Sequence, residues 1–393
     1  MKSLYIFNPD TDLALANNDP NFMAPKSARQ LANDLSLVPI WYAEAGDSII
    51  ISSQGHEDYF TELKALFHLP VSLVYDSDLD SLDECELRPW GWNKAVVNHF
   101  LKVDNSNVRV LDMNQVEAIR RMSSREWMSK ILSEIKSHPY LCGKSYVLKT
   151  FSDLERVNTD LSQFLLKAPY SGSGRGLKWC RSGLDEAGSK WFNRTVNQQG
   201  LAIAEPIYRR VEDFAMEFEI TKEKNITFIG FSSFRTDNNG VYQGNSFVQD
   251  EAFSTYLEST YFEPGFIESI KLQLKEILLN TYGGIYRGVL GVDMMVCREN
   301  DGANYQLHPC VEVNLRMNMG VLAHQFYQRY VSTHSRGEFG VDFYRNEGEV
   351  MAKHLDNQKK YPLAVQEGKI ISGYLSLSAI TSQTLCHAWV IVE

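Results

Sequence analysis

Residues 165–176 read LLKAPYSGSGRG: an apolar run closed by Lys167, then glycines at 172, 174 and 176. Glycine at that density lets backbone N–H groups come close to a ligand, and a lysine beside it adds a point charge. Three phosphate-binding designs compete for such a stretch. A P-loop reads GxxxxGK[ST] and opens a helix, whereas here the lysine precedes the glycines. A kinase-type loop needs GxGxxG, and the spacing here is GxGxG. The remaining design is a hairpin whose amides fold over a polyphosphate, with Lys167 on the incoming strand. Taken alone, the stretch serves equally well as a glycine- and serine-rich surface turn.

Two later stretches bear on the choice. GVDMMV (291–296) carries Asp293, and VEVNLR (311–316) carries Glu312, Asn314 and Arg316. Strand residues two apart share a face, so the last three project together while Val311, Val313 and Leu315 face the other way. A carboxylate beside an amide oxygen, opposite a second carboxylate, suits a hard cation that bridges phosphates. Arg316, one step further, can neutralise a transferred phosphate or hold a carboxylate bidentately. A half-exposed structural strand would show the same alternation, but nothing in it calls for three chemically matched groups.

The ordered set LLKAPYSGSGRG, LAIAEPI (201–207), YRGVLGVDMMV (286–296) and CVEVNLRMNMG (310–320) resembles the ATP-grasp superfamily. These are the ligases related to D-alanine–D-alanine ligase and biotin carboxylase. The resemblance implies that Lys167 holds ATP phosphates and that Ser171, Gly172, Ser173, Gly174, Arg175 and Gly176 cover them. Glu205 and the backbone near Ile207 would form the adenine hinge, with Glu212 or Asp213 near the ribose. Arg125, opening a helix, would contact ATP. Asp293, Glu312 and Asn314 would ligate Mg2+ or Mn2+, Arg316 would steady an acyl-phosphate, and Arg235 would face the reaction centre. Two departures stand out: Arg175 is a bulky residue inside the loop, and Pro206 removes one backbone donor from the hinge. The implied activity is that of an ATP-dependent ligase joining a small-molecule carboxylate to an amine. A phosphotransferase and a non-catalytic nucleotide-binding protein are the alternatives.

Composition narrows the partners. The 393 residues carry a formal net charge of -10, which gives no overall basic field for nucleic acid or anionic membrane. No apolar run reaches the roughly 20 residues of a membrane-spanning helix. MKSLYIFNPDTDLALA has too short an apolar core and acids too early for a secretory signal. Six scattered cysteines without a CxxC read as reduced thiols, so a cytoplasmic protein is expected, and a homodimer is compatible with the text.

The expected fold joins α/β and α+β parts. Residues 1–115 alternate apolar runs (SLYIF, VPIWY, SIIIS, VSLVY, VRVLD) with helix-like text, as an open parallel α/β domain does. No glycine fingerprint follows the first run, so a dinucleotide site is set aside. Asn8, Asp10 and Asp12 after that run, and Trp90 and Trp92 in RPWGWN, read equally well as ligand-facing loops or as caps and packing. A two-lobed ATP-grasp domain would follow: 116–202 with the glycine loop, and 203–393, β-rich, with the metal site.

Overall fold

The structure, a computed structural model, describes residues 1–52, 55–103, 107–172, 176–237, 240–299, 302 and 304–393. The chain forms two compact units, one of Met1–Glu117, Gln243–Val248 and Met317–Glu393, the other of Ala118–Tyr242 and Gln249–Arg316. The expected segment 203–393 is thereby divided, because 317–393 belongs to the unit that holds the N-terminal sheet.

In that first unit Lys2–Ile6 is the central strand of a five-stranded parallel sheet, between Ser48–Ile51 and Cys85–Pro89. Ser72–Tyr75 and Val108–Arg109 complete its edges. Val38–Trp41, read from its apolar run as sheet, is instead a buried 3-10 turn. Pro39 lacks the N–H a central strand must donate, and Trp41 wedges edge-on against Phe67, Phe326 and Tyr330. Cys85–Pro89 escaped the apolar-run reading because Glu86, Arg88 and Pro89 interrupt its pattern.

The C-terminal strands Gly337–Phe343, Cys386–Val392, Lys369–Ser376 and Ala364–Gln366 pair antiparallel in that order. They are tied to the N-terminal part by buried polar contacts. The Asp34 carboxylate accepts from the Leu385 and Cys386 N–H groups at 2.9 Å each, and Trp41 Nε1 donates to the Leu377 carbonyl at 2.9 Å. Met319–Tyr330 and Glu349–Lys360 are helices within text that read as β-rich.

The second unit carries two antiparallel sheets. The smaller runs Tyr146–Leu148, Ala202–Pro206, Phe164–Lys167, Leu177–Cys180. The longer strands run Tyr305–Asn314, Gly288–Arg298, Arg209–Ile220, Ile226–Thr236. Period-two alternation gives these long strands one apolar face, where Phe214 and Phe231 pack on Phe253 of helix Asp250–Tyr261. That helix lies in text that read as β-rich, and Phe266–Tyr282 follows it. Helix Arg125–Glu134 starts where Ser124 accepts from the Glu126 N–H, and so fixes the position of Arg125. Among the described residues no helix is long and apolar enough to cross a membrane.

A buried chain in the first unit makes its stability pH-dependent. The Tyr374 hydroxyl bridges His354 Nδ1 at 2.9 Å and His387 Nε2 at 2.8 Å. Burial lowers the pKa of His354 and pushes that of His387 down to about 3. The unfolded chain takes up these protons near pH 6.5 and the folded chain does not, so stability is lost as pH falls from about 6.5 toward 3. Urea titrations should give a lower unfolding free energy at pH 5.5 than at pH 7.5. His387→Gln, which still hydrogen-bonds Tyr374 but cannot titrate, should narrow that gap.

Candidate functional site

The two sheets of the second unit enclose a cavity of about 370 Å³, in the range of small-molecule sites. The smaller sheet contributes Lys167, Trp179 and Glu205, and the larger contributes Asp213, Asp293 and Glu312. Residues far apart in the chain meet here because adjacent strands bring same-face side chains into rows.

Lys167, only 5% exposed, ends its strand with Nζ 2.6 Å from Glu205 Oε2 and 3.2 Å from the Val311 carbonyl. Glu205 is also buried, at 4% exposed. Desolvation pushes its carboxyl upward and Lys167 opposes the push. Arg125, itself buried, forms a second pair with the half-buried Glu312, its Nη2 2.6 Å from Oε1. Each pair leaves one buried polar atom without a hydrogen-bond partner, Glu205 Oε1 and Arg125 Nε. Unsatisfied polar atoms lining a cavity are ready-made ligand contacts.

On the larger sheet Asp293 stands directly opposite Glu312, and Ala215 opposite Asp293 on its other side. The neighbouring row holds Glu217, Gly291 and Asn314. Asn314 Nδ2 donates to Asp293 Oδ2 at 3.2 Å. Burial, then the charges of Glu312 and Glu217, push the Asp293 carboxyl well above the carboxylate range, while Arg316 and Asn314 pull it back. Ala215 and Gly291 are the small residues in these two rows, and Glu217 beside them is buried.

Asp213 lines the cavity, accepting from Thr236 Oγ1 at 2.6 Å and Arg210 Nη1 at 3.1 Å. Glu212 points elsewhere, receiving the Tyr256 and Tyr261 hydroxyls at 3.0 Å each. Of the two ribose candidates, only Asp213 reaches the cavity. Ile207 lines it beside Tyr208. His308 lies beneath, fully buried, its ring edge-on to Tyr208 and its pKa lowered to about 3 by burial and Lys167.

The base of the glycine loop is well defined. Gly176 has φ 69°, and its carbonyl accepts from the Ala168 N–H at 2.9 Å. A Cβ at 176 would fall 2.6 Å from Ser171 Oγ, so glycine is required there on two counts. Ser171 is gripped by Arg125, and Gly172 follows it. Ser173, Gly174 and Arg175, expected over the phosphates, lie outside the described residues.

Arg235 is not brought to the cavity. Its neighbours Phe234 and Thr236 line it, so strand alternation turns the exposed Arg235 to the opposite face. Glu217, 1% exposed and hydrogen-bonded by Ser232 Oγ at 2.8 Å, was missed. The signal was available: an acid in the middle of the apolar strand FAMEFEI needs a special environment.

Asp293, Glu312 and Asn314 would offer a divalent cation two opposed carboxylates and a carboxamide, an all-oxygen set of the kind that hard ions such as Mg2+ or Mn2+ prefer. The mutual repulsion that raises Asp293 is what a cation there would relieve. Among the described residues no group of three or more His, Cys, Asp and Glu side chains is arranged as a metal site, so the amide of Asn314 is needed to complete the set.

Solved structures share this fold along most of their length. N5-carboxyaminoimidazole synthetase from Staphylococcus aureus, complexed with ADP, aligns over 100% of this chain and 93% of its own, at TM-score 0.52 and 11% identity. Carboxyaminoimidazole ribonucleotide synthase from Aspergillus clavatus, complexed with ATP, aligns over 89% and 94%, at 0.51 and 9%. The biotin carboxylase domain of the Hydrogenobacter thermophilus 2-oxoglutarate carboxylase, with MgADP and bicarbonate, aligns over 100% and 86%, at 0.51 and 11%. No protein-family model and no curated protein matches the chain. The fold is the ATP-grasp fold that the sequence resemblance implied.

The Lys167–Glu205 pair yields a stability test. Removing one member of a buried pair strands the other charge, at a cost of about 3–5 kcal/mol, whereas an apolar replacement of both is close to neutral. Lys167→Ala should therefore lower the unfolding free energy by that order, and Lys167→Met with Glu205→Leu should recover most of it in urea titrations.

Proposed function

We propose that the protein is an ATP-dependent ligase that activates a small-molecule carboxylate as an acyl-phosphate for attack by an amine. The observation that carries this reading is the convergence, on one cavity, of Lys167 and Arg125 with the acidic face of Asp293 and Glu312. The fold relatives support it, since their structures hold ATP, ADP or MgADP.

Charge balance supports a cation requirement. Around the cavity Arg125, Lys167, Arg181 and Arg210 face Glu205, Asp213, Asp293 and Glu312, four basic groups against four acidic ones, so the lining has no net positive charge. A polyanionic nucleotide entering such a site needs added positive charge. Asp293, Glu312 and Asn314 would hold Mg2+, which supplies charge neutralisation on the phosphate oxygens.

This chain's residues then act by placement. Lys167, at the base of the glycine loop, meets phosphate oxygens, while Glu205, Ile207 and Asp213 bound the nucleoside end. The substrate carboxylate oxygen attacks the γ-phosphorus in line, forming the acyl-phosphate as the bond to ADP breaks. Arg316, beside Asp293, steadies the charge that builds on the transferred group. An amine then attacks the acyl carbon, phosphate leaves with the bonding pair, and the amine's proton is lost. Phosphoryl transfer of this kind is governed by positioning and electrostatics.

A screen of carboxylic acids with ATP, Mg2+ and hydroxylamine tests the reading. The accepted acid should give ADP and a hydroxamate. ATP turnover with an acid and no hydroxamate would make the protein a phosphotransferase, and no turnover with any acid would leave a nucleotide-binding protein. Arg316→Ala should keep ATP affinity within a few-fold while slowing hydroxamate formation by about a hundred-fold, the scale of losing one transition-state donor. Lysine should rescue it poorly, since a point charge does not reproduce the guanidinium fork.

A further inference from the structure

Arg125 makes more contacts than a phosphate ligand needs. The side chain is 5% exposed. Its Nη1 donates to the Ala168 carbonyl at 2.5 Å and to Ser171 Oγ at 2.6 Å. Its Nη2 donates to the Ser171 carbonyl at 2.7 Å and to Glu312 Oε1 at 2.6 Å. Its backbone N–H donates to the Pro169 carbonyl at 3.1 Å. One guanidinium thus ties the base of the glycine loop to the carboxylate that faces Asp293, and its Nε has no partner.

These contacts set up a competition. A carboxylate oxygen already bonded to a guanidinium is a poorer ligand for a cation. A guanidinium already neutralised by Glu312 is a poorer partner for a phosphate. We propose that Arg125 is a positioning residue that couples the glycine loop to the cation site by exchanging Glu312 for the nucleotide. In the unliganded protein it holds Glu312. When a divalent cation takes over Oε1, Nη2 and Nε become available to an anionic oxygen while Nη1 keeps its hold on Ser171. Cation and nucleotide then bind poorly apart and well together, each raising the affinity for the other by the same factor. The proposal rests on the nucleotide and cation reading above.

Mn2+ tests it directly, because free aqueous Mn2+ is counted by its paramagnetic resonance signal without any turnover. Without nucleotide, the wild-type protein should bind Mn2+ weakly. Arg125→Met should bind it at least about ten-fold more tightly, the scale of one charge-assisted bond. Lys167→Met removes one positive charge from the same cavity without breaking a bond to Glu312, and should gain clearly less. The gain from Arg125→Met should vanish when Glu312 is also changed to Gln. Arg125→Lys, whose single ammonium cannot serve Ser171 and Glu312 together, should fall between wild type and methionine, and it replaces Arg125→Met if that variant fails to fold.

Equal Mn2+ affinity in wild type and the Arg125 variants would overturn the coupling. So would an equal gain from Lys167→Met, which would reduce the effect to a general change of charge. If the wild type takes up no Mn2+ even with ATP present, the cation reading of Glu312 fails, and the coupling fails with it. Mn2+ uptake with ATP, combined with indifference to Arg125, would leave the functional reading standing and remove only this inference.

Discussion

Burying charge is the constraint around which the second unit is organised. Lys167, Glu205 and Arg125 are each about 5% exposed or less, and an isolated charge at such depth is too costly to keep. Each is tolerated because a partner of opposite sign is delivered from another strand or helix. Lys167 and Glu205 sit on adjacent antiparallel strands of the smaller sheet, and Arg125 opens a helix and reaches Glu312 on the larger sheet. The pairs therefore act as registration marks: a slip of one residue on any of these strands would send a charge to the wrong face.

The same pairs are incomplete in a way that serves binding. Both lack a partner at one buried atom, and the neighbouring face stacks Asp293 against Glu312 with Glu217 close by. Well-packed interiors do not ordinarily tolerate either feature. Under the proposed function, these unmet polar groups are what an anionic and a cationic ligand would satisfy together.

Much of this was legible in the text of the chain, and the failures have identifiable causes. The glycine stretch, Lys167 and the Glu312–Asn314 alternation depend on local chemistry and strand period, which sequence carries directly. Arg235 was misplaced because its chemistry was weighed without strand parity: Phe234 and Thr236 take the cavity side and leave arginine the other. Glu217 went unread because its role depends on which strand lies beside Arg209–Ile220, and pairing is a long-range property. Val38–Trp41 looked like a strand by hydrophobicity alone, although Pro39 argued against it. The return of 317–393 to the N-terminal unit was illegible, since it rests on contacts such as Asp34 with Leu385 and Cys386, more than three hundred residues apart.

The roles of Glu205 and Arg125 show how structure alters a reading that resemblance alone supplies. A family pattern assigns each residue one ligand contact, but in this chain both side chains are already committed. Glu205 spends one oxygen on Lys167, so the lysine is half of a neutral pair with two of its donor directions occupied. Its pull on a phosphate is correspondingly weaker than that of a free ammonium. Under the proposed function the deficit would fall on the cation and on Arg125, whose own charge is paired with Glu312. The affinity of such a site for the proposed nucleotide would thus be set less by the number of its basic residues than by what releases them.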